Sequence, residues 1–545
     1  MSEAPPSNSI PRRLRDLLSA LPAQLGLFLV LHFVLQQVLY LGGRLGAETY
    51  ASPVIALGAF TNLRLFVPLL LLSALFAWRF RELGWRSLDE GGYPRIVVFP
   101  ALLVLTWSFA TLEPNPFFDQ VYLVDRVLLV AAAAFTLYHP AGALPFVLMV
   151  VAIGGQWHHP LPYGSWQWVD KRLPLDLLLV VVGYLVLRSG LRERTRPELL
   201  PTMLLVMVGS TYFHAGLNKL LLGPGPQAWL FDNDLSNLFV SAHLAGGWLR
   251  HLPQDEILAI AARLHTLRIP LALATMGIEL LGIALLWRSR LTRVAIPLFV
   301  LLHGAILATS GIFFWKWMVT DLALLAYLWT LDRRLSETAR DLYGPKQAVV
   351  AGVAILFGRF VFADMGFSWF DSNLVNHFEI RAEGVSGKSY QIDARFFAPY
   401  DILFQQSRHY YAAPGAVVVG TYGTTELYEV MQDLRSATPD TMPAIRERWA
   451  RPRPVSPELV NGLVDFVARS IINRHLRGEP PSAFSAWSPP FHFQTTLPDN
   501  AFVGQEPLAS FEIHFVEYLH HAASIEKTRD DLVARVMLGP PPPTP

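Results

Sequence analysis

The residues of this chain best suited to chemistry are charged groups set into apolar sequence. Lys219 closes a strongly apolar run that begins near Leu199. An ammonium at that depth is costly unless it faces a protein-lined or watery cavity, so it marks a functional site by default. A desolvated lysine gives up its proton more readily and can serve as a base near neutral pH. The structural alternative is that Lys219 snorkels to the interface and marks the end of its helix. Glu279 sits in Met276-Gly277-Ile278-Glu279-Leu280-Leu281-Gly282, and a carboxylate there needs a partner. If that partner is Lys219, the pair keeps the amine charged and its role is structural. His303, in Leu301-Leu302-His303-Gly304-Ala305, is a third buried polar group, for which a hydrogen-bonded structural role competes with a catalytic one. The Trp315-Lys316-Trp317 cluster comes next along the chain, with Asp321 after it.

Two other constellations carry less. His32, Gln36 and Gln37 form a polar strip on the first apolar run, which suits hydrogen bonding between helices rather than a site. His514, Glu517 and His521 would align on one face of a helix as metal ligands do. Residues 511–515 also read as a strand, where that geometry fails, and no metal site is expected.

The elements that must position these groups are set by composition. The chain has 545 residues, 52% hydrophobic and 16% charged, with a mean hydropathy of +0.34, too apolar for an ordinary soluble protein. Apolar runs fall at about 25–43, 64–78, 96–112, 124–138, 141–155, 173–187, 199–220, 269–287, 294–310, 315–331 and 347–364. They predict an all-α polytopic membrane helix bundle of about eleven spans, residues 25–365, followed by a mixed α/β extracytoplasmic domain, 366–540, and a Pro-rich tail, 541–545. Between Arg293 and Arg333 one unbroken helix would run about 60 Å, roughly twice the hydrocarbon thickness. A break is expected at Thr309-Ser310-Gly311.

Arginine clusters at 12–15, 79–95, 188–196, 288–293 and 333–340 fall in alternate connections. By the positive-inside rule they place the N-terminal segment, 1–24, in the cytoplasm and the C-terminal region outside. Residues 221–268 hold amphipathic pieces at 235–249 and 256–267 and read as an extracytoplasmic lid loop. In the C-terminal region, 416–420 and 511–515 read as strands and 457–476 as a helix. A net charge of +1 with no basic block argues against a nucleic-acid partner. The absence of cysteine excludes disulfides and thiolate chemistry. Membrane lipid is the expected partner.

The run Tyr212-Phe213-His214-Ala215-Gly216-Leu217-Asn218-Lys219-Leu220, followed by Trp229, resembles the signature of the vitamin K-dependent gamma-glutamyl carboxylases and the wider horizontally transferred transmembrane (HTTM) family. Glu279, the turn with Arg288, Arg290 and Arg293, and then His303 resemble that family's membrane Glu, Arg-rich turn and following His. His158 and His159, before Tyr163-Gly164, stand where the carboxylases carry a catalytically important His. The similarity covers about residues 10–365.

The resemblance implies that Lys219 is the base that deprotonates a reduced vitamin K-like quinol. Oxygen then converts the quinol to an epoxide through a strong alkoxide base, which removes a γ-proton from a peptide Glu, and carbon dioxide adds. It further implies a site of Lys219, His158 and His159, with Tyr212, His214, Asn218, Trp229, Glu279 and His303 lining the pocket. Asn218 stands where the family has the first of two adjacent lysines, a departure bearing on the substrate. The C-terminal region carries no recognisable substrate motif, so carboxylation of a secreted peptide or protein rests on the resemblance alone. The competing class is a non-enzymatic maturation or export factor for a secreted peptide, in which Lys219 only pairs with Glu279.

Overall fold

A computed structural model describes residues 18–42, 47–52, 83–89, 93–111, 123–158, 169–191, 194–362, 368–397, 412–449, 457–472, 487–521 and 524–538, with isolated positions between them. The expected span at 64–78 lies almost wholly outside the described residues, as do His159, Tyr163-Gly164 and the Pro-rich tail.

Besides the single turns Ala47–Tyr50 and Trp85–Leu88, the helices in chain order are α1 (Leu21–Gly42), α2 (Arg95–Thr111), α3 (Leu123–Tyr138), α4 (Ala143–His158), α5 (Val169–Leu191), α6 (Leu199–Leu220), α7 (Ala228–Asp232), α8 (Leu235–Leu244), α9 (Gln254–Thr266), α10 (Arg268–Leu280), α11 (Ser289–Ser310), α12 (Trp315–Arg334), α13 (Ser336–Leu342) and α14 (Pro345–Phe357). Four segments are long and apolar enough to cross a membrane: Pro140–Trp157, α5, α6 and α11. A fifth exists if α9 and the segment Arg268–Ala284, bent from it by 68°, count as one broken span. The expectation of about eleven spans is therefore not met among the described residues.

The shortfall has physical causes. The 17 residues of α2 rise about 26 Å and the 13 of α14 about 20 Å, against a hydrocarbon core of about 30 Å. Helix α12 forms where a span was expected but carries Lys316, Asp321, Asp332, Arg333 and Arg334. The expected break falls where α11 ends at Ser310, with Gly311 in the left-handed conformation at φ 72°. Glycine reaches that region without steric penalty, which is why the chain turns there.

Helix α6 is the axis of the bundle, 94% buried across its apolar window, whereas α11 is only 33% buried and lies at the periphery. A helix apolar on all sides is stable only when surrounded. Its serine and threonine hydroxyls are satisfied within the helix or by a neighbour: Thr202 Oγ1 donates to Glu198 O at 2.7 Å, Thr211 Oγ1 to Met207 O at 3.0 Å, and Ser210 Oγ to Ile355 O on α14 at 3.3 Å. The polar strip on α1 behaves as expected, since Gln36 Nε2 lies 3.2 Å from His32 Nε2 and donates to Asp176 Oδ1 on α5 at 3.3 Å.

The C-terminal region carries β1 (Phe370–Asp371), β2 (Leu374–Gly384), β3 (Ser389–Ile392), β4 (Thr424–Thr425), α15 (Tyr428–Arg435), α16 (Met442–Trp449), α17 (Pro457–Ile471), β5 (Leu508–His520) and β6 (Ile525–Met537). Four strands form an antiparallel sheet in the order β3-β2-β5-β6, and β1 pairs with β4. The predicted strand at 511–515 lies inside β5. The segment 416–420 forms no regular strand, and Val419 packs instead against Leu374, Val430 and Leu519. Phe511, Ile513 and Phe515 join a core continuous with that of the helix bundle. His514 and Glu517 fall on opposite faces of β5, where His514 meets Glu512 and Asp530 while Glu517 meets Arg446. Strand alternation thus separates His514 from Glu517, and His521 lies past the end of β5, so the alignment a helix would have given is lost.

Candidate functional site

Three glycines let Lys219 meet Glu279. Gly209 and Gly216, seven residues apart on one face of α6, lie against α10 and the 3₁₀ turn Leu281–Ala284 that continues it. A Cβ on Gly209 would sit 2.6 Å from Gly282 O, one on Gly282 2.5 Å from Gly209 O, and one on Gly216 3.0 Å from the Glu279 Cβ. Small residues allow the backbones to approach this closely. Lys219 lies three residues beyond Gly216 and Glu279 three before Gly282, so each charged side chain shares the contact face. Lys219 Nζ donates to both carboxylate oxygens of Glu279, at 2.8 and 2.9 Å. Both side chains are buried, at 8% and 6% exposure.

The pair is roofed by residues from the loop and the C-terminal region. Lys219 Nζ lies 5.6 Å from the centroid of the Trp229 ring on α7, a cation–π contact. Trp229 Nε1 donates to Trp369 O at 2.9 Å. Trp229 packs with Ala228, Ala272, Met276, Phe370 and Met431 in one apolar cluster. Beside it, Asp371 accepts from Asn233 Nδ2 at 2.9 Å and from Trp369 Nε1 at 3.1 Å, and its N–H donates to Asn233 Oδ1 at 2.7 Å. Burial raises the Asp371 carboxyl to about 6, the hydrogen bonds from Asn233 and Trp369 hold it down, Asp234 pushes it up, and Lys219 lowers it again.

Two turns deeper on α6, Tyr212 joins α11 and α12. Its hydroxyl donates to Asp321 Oδ2 at 2.6 Å and lies 2.8 Å from His303 Nε2. The Tyr212 ring stacks on Phe299 at 3.8 Å, and Trp317 stands edge-on at 6.0 Å. Asp321 is fully buried and pairs with no cation among the described residues. Lys316, in contrast, is matched: it and Lys171 both engage Asp170, the latter at 2.7 Å, and Trp317 Nε1 donates to Val169 O at 2.8 Å, which ties α12 to α5.

The structure thus brings Lys219, Glu279 and Trp229 into contact, and Tyr212 with His303 into a second, deeper cluster. His214 turns elsewhere: its Nε2 donates to Ile355 O on α14 at 2.8 Å. Asn218 is half-buried and rotated about 100° around the helix from Lys219. His158 ends the backbone of α4, and His159 lies outside the described residues. Sequence reasoning noted Asp321 without placing it in the site, and passed over Asp170, Asp371 and Asn233. An acidic residue inside an apolar run was the available signal for Asp321, whereas Asp371 and Asn233 sit in segments with no periodic pattern. No protein-family profile, curated protein or solved structure matches this chain.

Proposed function

We propose that this chain is an HTTM-type integral membrane enzyme with vitamin K-dependent carboxylase-like chemistry, in which Lys219 and Glu279 act together as the proton-handling pair. The observation that carries the reading is the two-point contact between a buried amine and a buried carboxylate beneath an aromatic roof. Taking both ions out of water costs several kcal/mol each, which brings the neutral amine–carboxylic acid form closer in energy to the charged pair. Passing the proton from Lys219 to Glu279 leaves a neutral amine, so a carboxylate partner is compatible with a base. The packed apolar cluster of Trp229, Met276 and Phe370 shields the pair from water. A bound quinol would supply the oxidisable hydroxyl whose proton the amine accepts, and Glu279 would hold the displaced proton.

In this reading the N-terminus is cytoplasmic, the C-terminal region extracytoplasmic, and the peptide substrate is a secreted one. The second reading is a maturation or export factor in which the pair only staples α6 to α10. The glycine contacts between those helices favour it, because the pair continues the same seam.

Lys219→Arg separates the two. Arginine keeps the charge and a two-point contact with Glu279 but does not give up its proton. The variant protein, reconstituted with reduced vitamin K and a Glu-containing peptide, is assayed for epoxide and for fixed carbon dioxide. A folded and inactive variant supports the base; undiminished turnover, or none in the wild type, removes it.

A further inference from the structure

A polar cavity lies apart from the Lys219–Glu279 pair, and neither of those residues lines it. This cleft of about 350 Å³ opens between the α9–α10 bend and the ends of β1 and β5, within the size range of small-molecule sites. Both carboxylates in its wall are satisfied by the protein. Asp371 is held by Asn233 and Trp369. Asp234 caps α8 through Ser236 N and Oγ and accepts from His265 Nδ1 at 2.5 Å. His265 Nε2 in turn accepts from Arg268 at 2.9 Å, which fixes its neutral tautomer.

The unspent hydrogen-bonding capacity belongs to other lining residues. Arg268 Nε, Asn373 Oδ1, His520 Nε2 and His521 Nε2 are buried and have no partner. His520 is 5% and Asn373 8% exposed. Arg268 forms no ion pair among the described residues. Burial lowers the His520 imidazole to about 3, with His521 adding to the effect and Asp234 opposing it, so that ring is neutral. Four orphaned polar atoms around one cavity are costly unless a ligand completes them. The set asks for an anionic acceptor facing Arg268 and for a hydrogen-bond donor facing Asn373 Oδ1, which has no hydrogen of its own to offer.

We propose that this cleft binds a small carboxylate bearing a neighbouring amide N–H, that is, an acylated amino acid or the C-terminal residue of a peptide, with Arg268 receiving the carboxylate and Asn373 the N–H. Such a ligand bridges the bend at α9–α10 to the end of the sheet.

The test uses the full chain in lipid nanodiscs, titrated with N-acetyl-alanine by calorimetry. Acetate, which has the carboxylate alone, and N-methylacetamide, which has the N–H alone, are the comparisons. N-acetyl-alanine is expected to bind saturably and at least tenfold more tightly than either, and Arg268→Gln to weaken it by at least tenfold. N-acetyl-tetra-alanine distinguishes the sources: binding equal to that of N-acetyl-alanine assigns the cleft to a peptide end, and loss of binding assigns it to a free metabolite. If Arg268→Gln does not fold, protection of His521 from carbethoxylation by N-acetyl-alanine in the wild type decides instead. Binding no tighter than acetate, an unaffected Arg268→Gln variant, or unprotected His521 overturns the proposal.

Discussion

Glu279→Gln probes the buried pair most directly. Lys219 is only 8% exposed and both carboxylate contacts of its ammonium lie under 3 Å. At an effective dielectric of 20, unit charges about 3 Å apart attract by roughly 5.5 kcal/mol, much of it offset by desolvation. Replacing Glu279 by its neutral amide removes the attraction and leaves the cost of burial, so the variant is expected to lose about 3–5 kcal/mol. The double variant Lys219→Met with Glu279→Leu removes both charges and fills similar volume, and it is expected to recover most of that loss. Unfolding is followed by SDS titration in mixed micelles, reading tryptophan fluorescence, since Trp229 sits over the pair. A Glu279→Gln loss below about 1 kcal/mol, the range of an exposed pair, would refute the claim that this ion pair is sealed from solvent. So would a double variant as unstable as the single one.

The same geometry sets three further outcomes. Gly209→Ala places a methyl group 2.6 Å from Gly282 O, a backbone atom that cannot move aside, and is expected to cost about 1–3 kcal/mol. Because it pushes α6 off α10, the Glu279→Gln penalty is expected to shrink in that background; strict additivity would contradict a shared seam. Tyr212→Phe takes from Asp321 the one hydrogen bond described for it and is expected to cost about 1–3 kcal/mol, recovered when Asp321→Leu is added. If the pair of changes is no better than Tyr212→Phe alone, Asp321 is not the group left stranded. Asp371 titrates near 6 when folded, against 3.8 for an unperturbed carboxyl. Between those values the folded state binds the extra proton, so stability falls as pH rises from about 4 to 6, by roughly 3 kcal/mol in all. Asp371→Asn is expected to flatten that dependence of the unfolding midpoint, and equal slopes for variant and wild type would count against the assignment.

Much of the architecture around the candidate site was legible along the chain. The apolar run ending in Lys219, the glutamate at 279, the break before Gly311 and the strand at 511–515 each follow from local pattern, because hydrophobic period, turn chemistry and charge act over a few residues. The number of spans was not legible in the same way. Residues 96–112 and 315–331 look apolar enough in a window, yet α2 is short and α12 carries buried charges that meet distant residues, Lys316 with Asp170 and Asp321 with Tyr212. Whether Lys219 meets Glu279 was likewise open, since sixty residues separate them and only the contact of Gly209, Gly216 and Gly282 decides it.

By itself the sequence determined that buried charge must exist here and on which helices. The tertiary structure alone decided which charges meet. Desolvation is a property of each residue in its apolar run, whereas the partner that offsets it depends on which helix faces the chain brings within 3 Å. For the same reason the cleft of Arg268, Asn373 and His520 left no mark in the sequence: its walls come from five separate segments, and their unpaired atoms converge only once β1 and β5 lie against the bend of α9 and α10.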